Sequence, residues 1–137
     1  MSNEALLEEI IPEIISEFKK ILSHLFSLGR TATIEEMEAA CRVGMRKIST
    51  GLMEALIEGS GRGYEGTSIA CSCGRNAKFV GYRKKMVQTL VGEITFERAY
   101  YHCASCGEGI HPLDEALGVS RKEMSRTLAK AGRPSRG

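Results

Sequence analysis

Two close cysteine pairs, Cys71-Ser72-Cys73 and Cys103-Ala104-Ser105-Cys106, constrain this chain more than any other feature. Each pair is followed directly by a glycine, and the residues between them, 74–102, are rich in strand formers. Thiolates are soft donors, and four of them in two pairs suit one tetrahedral zinc ion. Paired-cysteine turns joined by strands describe a zinc ribbon with Cys71, Cys73, Cys103 and Cys106 as ligands. Four protein ligands leave no open position for water, so the zinc is expected to be structural. A sheet this small cannot bury enough apolar area alone, and a metal supplies the difference. The single residue between Cys71 and Cys73 demands a tighter turn than the two residues of the second pair. His102 is the substitute ligand if one sulfur falls short, with His111 more remote; each reads more simply as a solvated residue beside the site. A reversible redox pair is the other use of such cysteines, and strands without a βαβ pattern argue against it.

Composition sets the context for that site. A chain of 137 residues is one ordinary domain or two small ones, and 42% hydrophobic with 26% charged residues is normal for a soluble globular protein. Tryptophan is absent, so the core must be mostly aliphatic. No apolar run approaches the roughly 18 residues of a membrane span. The start, MSNEALLEE, lacks the basic segment and cleavage site of a signal peptide. A cytoplasmic location is therefore expected, where thiols stay reduced and serve metals before disulfides. Residues 1–59 carry 6 Lys/Arg against 10 Asp/Glu, whereas residues 60–137 carry 13 against 7. Only the second half is suited to a polyanion.

The first 58 residues read as a helical hairpin. Leu7, Ile11, Ile14, Phe18, Ile21, Leu25 and Leu28 step by four and three, the seam of a coiled coil or of two packed helices. Pro12 places the start of the regular helix near Ile11, and Gly29 is its stop signal. Thr33 and Glu36 have capping-box spacing and open a second helix through about Glu58. Its apolar positions include Ile34, Met37, Cys41, Ile48, Leu52 and Leu56, and a second stripe holds Cys41, Gly44, Ile48, Gly51 and Ala55. Each helical glycine costs about 1 kcal/mol against alanine, so two on one face call for a close neighbouring helix or mark a marginal one. Cys41 stands alone and reads as a small hydrophobe. A homodimer through residues 7–56 is one use of the heptad stripe.

Residues 59–70 begin with GSGRGYEGTS and read as a flexible connection. A phosphate-cradling loop is disfavoured, because no Lys-Ser/Thr pair opening a helix follows. Strands are expected over 77–83, 86–91 and 93–101, with Arg83-Lys84-Lys85 separating the first two and Val91-Gly92-Glu93 turning into the third. After Cys106 the chain is irregular to Leu113. Ser120 and Glu123 repeat the capping-box spacing and open a short helix before a basic tail, RPSRG. The same region resembles the turn and second helix of a helix-turn-helix, but the space between Pro112 and Leu117 is too short for the first helix, and a plain terminal helix is the simpler reading.

No acid, base or nucleophile constellation is visible, so the chain is not expected to act as an enzyme. Arg75, Lys78, Arg83, Lys84, Lys85 and Arg98 lie on or beside the ribbon, with Tyr82, Tyr100 and Tyr101 among them. The cations can meet phosphate and the tyrosines can stack on bases. A solvated face with the tyrosines packing the sheet explains the same residues, and both readings stay open at this level.

The CxCG turn, AKFVGYR, and TLVGEITFERAYYHCASCGEGIHPLDEALGV together resemble the N-terminal region of ISKra-type insertion-sequence transposases. The likeness is sharp over residues 71–119 and looser back to about residue 30. It implies a DNA-binding zinc-ribbon region lying ahead of a metal-dependent, ribonuclease H-type carboxylate domain. Such a domain cannot fit in the 31 residues after Cys106. The resemblance thus implies a truncated transposase or a remnant of one, involved in DNA transposition through end recognition or assembly. Its DNA would be transposon ends. The expected fold is α+β: a helical hairpin over 1–58, a linker over 59–70, an antiparallel zinc ribbon over 71–119, and a short basic helix and tail over 120–137. The other reading is a zinc-stabilised protein-interaction or regulatory module.

Overall fold

The computed structural model describes residues 3–119. The expected basic helix, its tail and the recognition-helix reading lie beyond those residues. The fold is α+β, with two long helices followed by a four-stranded antiparallel sheet and a short helix. It divides into two compact units, residues 1–56 and 57–137. No helix among the described residues is long and apolar enough to cross a membrane.

In the first unit, α1 (Asn3–Phe26) and α2 (Ile34–Gly59) are joined by a short turn in which Gly29 adopts φ 69°. The start of α2 is built as its sequence indicates. The Thr33 hydroxyl accepts from the Glu36 amide at 3.2 Å, and the Glu36 carboxylate accepts from the Thr33 amide at 3.1 Å. Arg30 forks onto the same carboxylate with two bonds of 2.9 Å. The helices run antiparallel: Ile21 lies over Gly44, while Ile10 and Ile14 share a groove with Ile48, Gly51 and Leu52.

Two expectations for these helices are corrected. The helix does not wait for Ile11 but is already formed at Asn3, with Pro12 inside it. Pro12 is exposed, so the Glu8 carbonyl it leaves without an intrahelical donor can turn to water. The seam is also displaced. Ile10, Ile14, Glu17, Ile21, Leu25 and Leu28 are the more sheltered positions, whereas Leu7, Ile11 and Phe18 of the expected stripe are exposed. A helix this apolar carries two candidate stripes, and periodicity alone does not say which one the neighbour takes.

The second unit is a meander in the order β1 (Ser68–Ala70), β2 (Asn76–Thr89), β3 (Gly92–His102) and β4 (Gly109–Ile110), followed by α3 (Pro112–Ala116). The two expected strands on either side of Arg83-Lys84-Lys85 are one, since β2 pairs with β3 continuously through that basic run. Alternation puts Arg83 and Lys85 on one face and Lys84 on the other, so three consecutive cations do not break the strand. The reversal sits at Leu90-Val91, where the Thr89 hydroxyl accepts from the Val91 amide and donates to the Gly92 carbonyl. A bulge between Phe79 and Gly81 shifts the register once.

The glycine-rich segment after α2 is not a free connection. Tyr101 is fully buried, and its hydroxyl donates to the Gly66 carbonyl and accepts from the Glu65 amide, both at 2.8 Å. The Ala99 amide donates to the Arg62 carbonyl at 2.9 Å, and the Phe79 amide to the Thr67 carbonyl at 3.0 Å. At Gly63, where φ is 77°, an added Cβ would come within 2.7 Å of the Leu113 Cβ. Glycine is there because the backbone lies against α3, and the segment belongs to the sheet unit.

Candidate metal centre and its charged surroundings

The two cysteine pairs sit on turns that end neighbouring strand pairs, β1–β2 and β3–β4. In the first, the Cys71 amide donates to the Arg75 carbonyl at 2.7 Å and the Gly74 amide to the Cys71 carbonyl at 3.0 Å. In the second, the Cys103 amide donates to the Glu108 carbonyl at 2.9 Å and the Gly107 amide to the Cys103 carbonyl at 2.7 Å. Gly74 and Gly107 both adopt left-handed backbone, with φ of 88° and 78°. The first turn is therefore the second with one residue removed throughout. The short Cys71-Ser72-Cys73 spacer shortens the whole knuckle and leaves its logic intact.

The knuckles bring their sulfurs face to face. Cys71 Sγ lies 3.6 Å from Cys106 Sγ, Cys73 Sγ lies 3.6 Å from Cys103 Sγ, and all four sulfurs lie within 4.8 Å of one another. None is in a disulfide. Sulfurs placed tetrahedrally about 2.3 Å from one ion would be about 3.8 Å apart, so the four can hold a metal ion with little adjustment. Cys71 and Cys103 are buried against Ala77, Ala99 and Tyr101, while Cys73 and Cys106 face outward. The ion would close the end of the small core. His102 and His111 belong to no such cluster among the described residues. His111 packs its ring on Tyr100 at 5.1 Å, and burial, then the nearby Arg98 charge, lower its pKa.

The thiols do not titrate alike. The Cys106 amide beside Cys103 brings that thiol down to about 6. For Cys106 the Glu108 amide favours the thiolate, but bonding to Cys71 and Cys103 together with burial outweighs it and pushes the thiol up to about 12. Four sulfurs this close cannot all carry charge unaided, and a cation relieves that conflict.

The expected nucleic-acid residues separate into two groups. Arg75, Lys78, Arg83 and Lys84 are exposed. Arg98 is not available. It is 7% exposed, bonded twice to Asp114 and also to the Arg83 and Lys84 carbonyls at 3.0 and 3.1 Å. Lys85 pairs with the same carboxylate at 3.5 Å, its side chain 9% exposed. These two fasten α3 to the sheet and are removed from the phosphate-binding set. In the sequence Asp114 is only one of two adjacent acids, beside Glu115; its fixed partners on β2 and β3 are visible only once the sheet is formed.

The tyrosines divide in the same way. Tyr101 is buried, and Tyr100 lies between the Arg83 guanidinium, 3.6 Å from its ring centre, and the His111 ring. Neither presents a free face to a base. Tyr82 remains exposed, with the Phe79 ring edge and the Arg62 guanidinium beside it.

A family profile described as "Uncharacterised protein family (UPF0236)" matches residues 29–131. Two curated UPF0236 proteins of Caldanaerobacter subterraneus subsp. tengcongensis are each 29% identical to this chain over 122 residues. Those alignments cover 86% of this chain and 25% and 24% of the relatives, so the chain spans about a quarter of their length. No solved structure matches it.

Proposed function

This chain belongs to the UPF0236 family, and we propose that residues 57–119 form a zinc-closed, DNA-binding module of a larger transposition protein. The observation that carries the metal part is the convergence of four thiols within 4.8 Å on two matched knuckles. Zinc suits an all-sulfur tetrahedral site, and with every position filled its work is structural. It holds β1–β2 and β3–β4 together beside the small core of Ala77, Ala99 and Tyr101.

The DNA part rests on the exposed cations Arg75, Lys78, Arg83 and Lys84 and on the likeness of residues 71–119 to the front of insertion-sequence transposases. Contacts of this kind go to phosphate, so they favour affinity over sequence choice. The described part of residues 60–119 is nearly balanced, with 7 Lys/Arg against 6 Asp/Glu. Six further cations lie after residue 119, and association should therefore be weak and strongly salt-dependent. Catalytic carboxylates are assigned to none of these residues.

Fluorescence anisotropy with a short labelled duplex tests the reading. The zinc-loaded chain should bind at low salt and release as salt rises. Arg75→Glu with Lys78→Glu should weaken binding at least tenfold without changing the zinc content. Equal binding by that variant, or none by the parent chain, argues instead for the protein-interaction reading, which the exposed Val80, Met86 and Leu90 on β2 and its turn favour.

A further inference from the structure

The first unit exposes more apolar surface than two helices can account for. Ile10 is the only buried large apolar side chain among the described residues up to 56. On α1, Leu7, Ile11, Ile15, Phe18, Leu22 and Phe26 form a continuous stripe, each between 47 and 78% exposed. A helix that is apolar on two sides is one that packs on two sides.

Both helices contribute to the same exposed face. On α1 the exposed residues follow the seam residues by one place: Ile11 after Ile10, Ile15 after Ile14, Phe18 after Glu17, Leu22 after Ile21. On α2 the pattern repeats, with Met45 after Gly44, Leu52 after Gly51 and Leu56 after Ala55; these three are 39 to 52% exposed. One residue along a helix turns the side chain by about 100° in the chain's own direction. In an antiparallel pair, equal turns of that sense bring both stripes to one side of the layer. The unit is a two-helix layer with one seam and one bare apolar face.

We propose that a second copy of this chain covers that face, two hairpins forming a four-helix bundle in which α1 packs antiparallel on its counterpart. Two features of α1 select a second copy and this direction. The stripe has steps of 4, 4, 3, 4 and 4, the same read from either end. A two-fold axis between Ser16 and Glu17 therefore sets Leu7 on Phe26, Ile11 on Leu22 and Ile15 on Phe18. The charges of α1 are also sorted by half. Glu4, Glu8, Glu9 and Glu13 precede the axis, whereas the half that follows it holds Lys19 and Lys20 against the single acid Glu17. Antiparallel packing lays the acidic half beside the basic half and opposes the helix dipoles, while parallel packing would stack four glutamates on four. The stripe runs about 28 Å, a usual length for one seam of such a bundle.

Sedimentation equilibrium on the whole zinc-loaded chain should give twice its 15.0 kDa mass at micromolar concentration. Ile15→Glu with Phe18→Glu, at the axis, should give monomer with the helical signal at 222 nm retained. A mixture of Ile11→Cys and Leu22→Cys chains, each carrying Cys41→Ala, should form a mixed disulfide dimer on mild oxidation. Retention of the dimer by the double glutamate variant would overturn the proposal. So would Ile11→Cys chains that cross-link efficiently with themselves, because that requires parallel helices. A parent chain that stays monomeric, its stripe covered by its own second unit or left bare, would also overturn it. None of these readouts depends on DNA, so the proposal stands or fails apart from the DNA-binding reading.

Discussion

Arg98 grips Asp114 at two points, Nε 3.0 Å from one carboxylate oxygen and Nη2 3.3 Å from the other. The same guanidinium donates back to two carbonyls of β2, so one side chain ties three elements together. Asp114→Ala leaves Arg98 and Lys85 sheltered without a counter-charge. It should lower stability by about 3 kcal/mol, read from urea unfolding with the metal bound. Lys85→Gln leaves the fork intact and should cost less. An Asp114→Ala chain as stable as the parent would remove the ion pair from the account of how α3 is held.

Metal removal should act on the sheet unit and spare the helices. One equivalent of zinc is expected per chain, with strong chelation releasing it and collapsing the strand pairing. Cys103→Ser should lose both metal and sheet, since the residue is buried in the core as well as facing its partners. Amide exchange resolved by segment measures this: chelator should expose residues 68–110 and leave α1 and α2 at their original rates.

Gly44 and Gly51 should respond oppositely to alanine. A Cβ at Gly44 would lie 2.2 Å from the Ile21 Cδ1 and 2.6 Å from its Cγ1, whereas at Gly51 nothing lies within 4 Å. Helix propensity alone favours alanine at both sites by about 1 kcal/mol. At Gly44 the clash opposes it, and forced repacking costs about 1–3 kcal/mol. Thermal unfolding followed at 222 nm should therefore rise for Gly51→Ala and fall for Gly44→Ala. A rise for both would mean that the helices separate easily at that crossing.

The start of α2 should be sensitive to acid. The Arg30 guanidinium, then the Thr33 amide and hydroxyl, hold the Glu36 carboxyl at about 2 against its ordinary 4.5. A depressed carboxyl stabilises the folded form fully above its unfolded value, and that contribution is lost as pH falls from about 4.5 toward 2. Glu36→Gln should remove this part of the acid transition while leaving the rest of the profile in place. Because the pair lies at the surface, with the Arg30 side chain 56% and the Glu36 side chain 30% exposed, salt should shrink the effect.

Tyr101→Phe should release the glycine-rich segment. The hydroxyl serves both the Gly66 carbonyl and the Glu65 amide, and its removal leaves two backbone groups without that partner. The cost should be about 1–2 kcal/mol. Faster proteolysis within residues 60–67 is the accompanying sign, and unchanged protection there would show that the other backbone bonds suffice.

Local signals in the chain identified the parts whose physics is local. The capping box at Thr33 and Glu36, the stop at Gly29 and the two knuckles each depend on residues a few places apart. The cysteine pattern picked out four residues that the fold does gather into one cluster, because the paired spacing already brings two sulfurs together in each turn. Tertiary structure decided what depends on distant partners. It chose which apolar stripe of α1 meets α2, joined two expected strands through the basic run at Arg83, and folded the glycine-rich segment onto Tyr101. It also took Lys85 and Arg98 from the phosphate-binding set, because a cation's availability depends on which acid packs beside it. Asp114 comes 16 residues after Arg98 and 29 after Lys85, a separation over which no sequence period carries information.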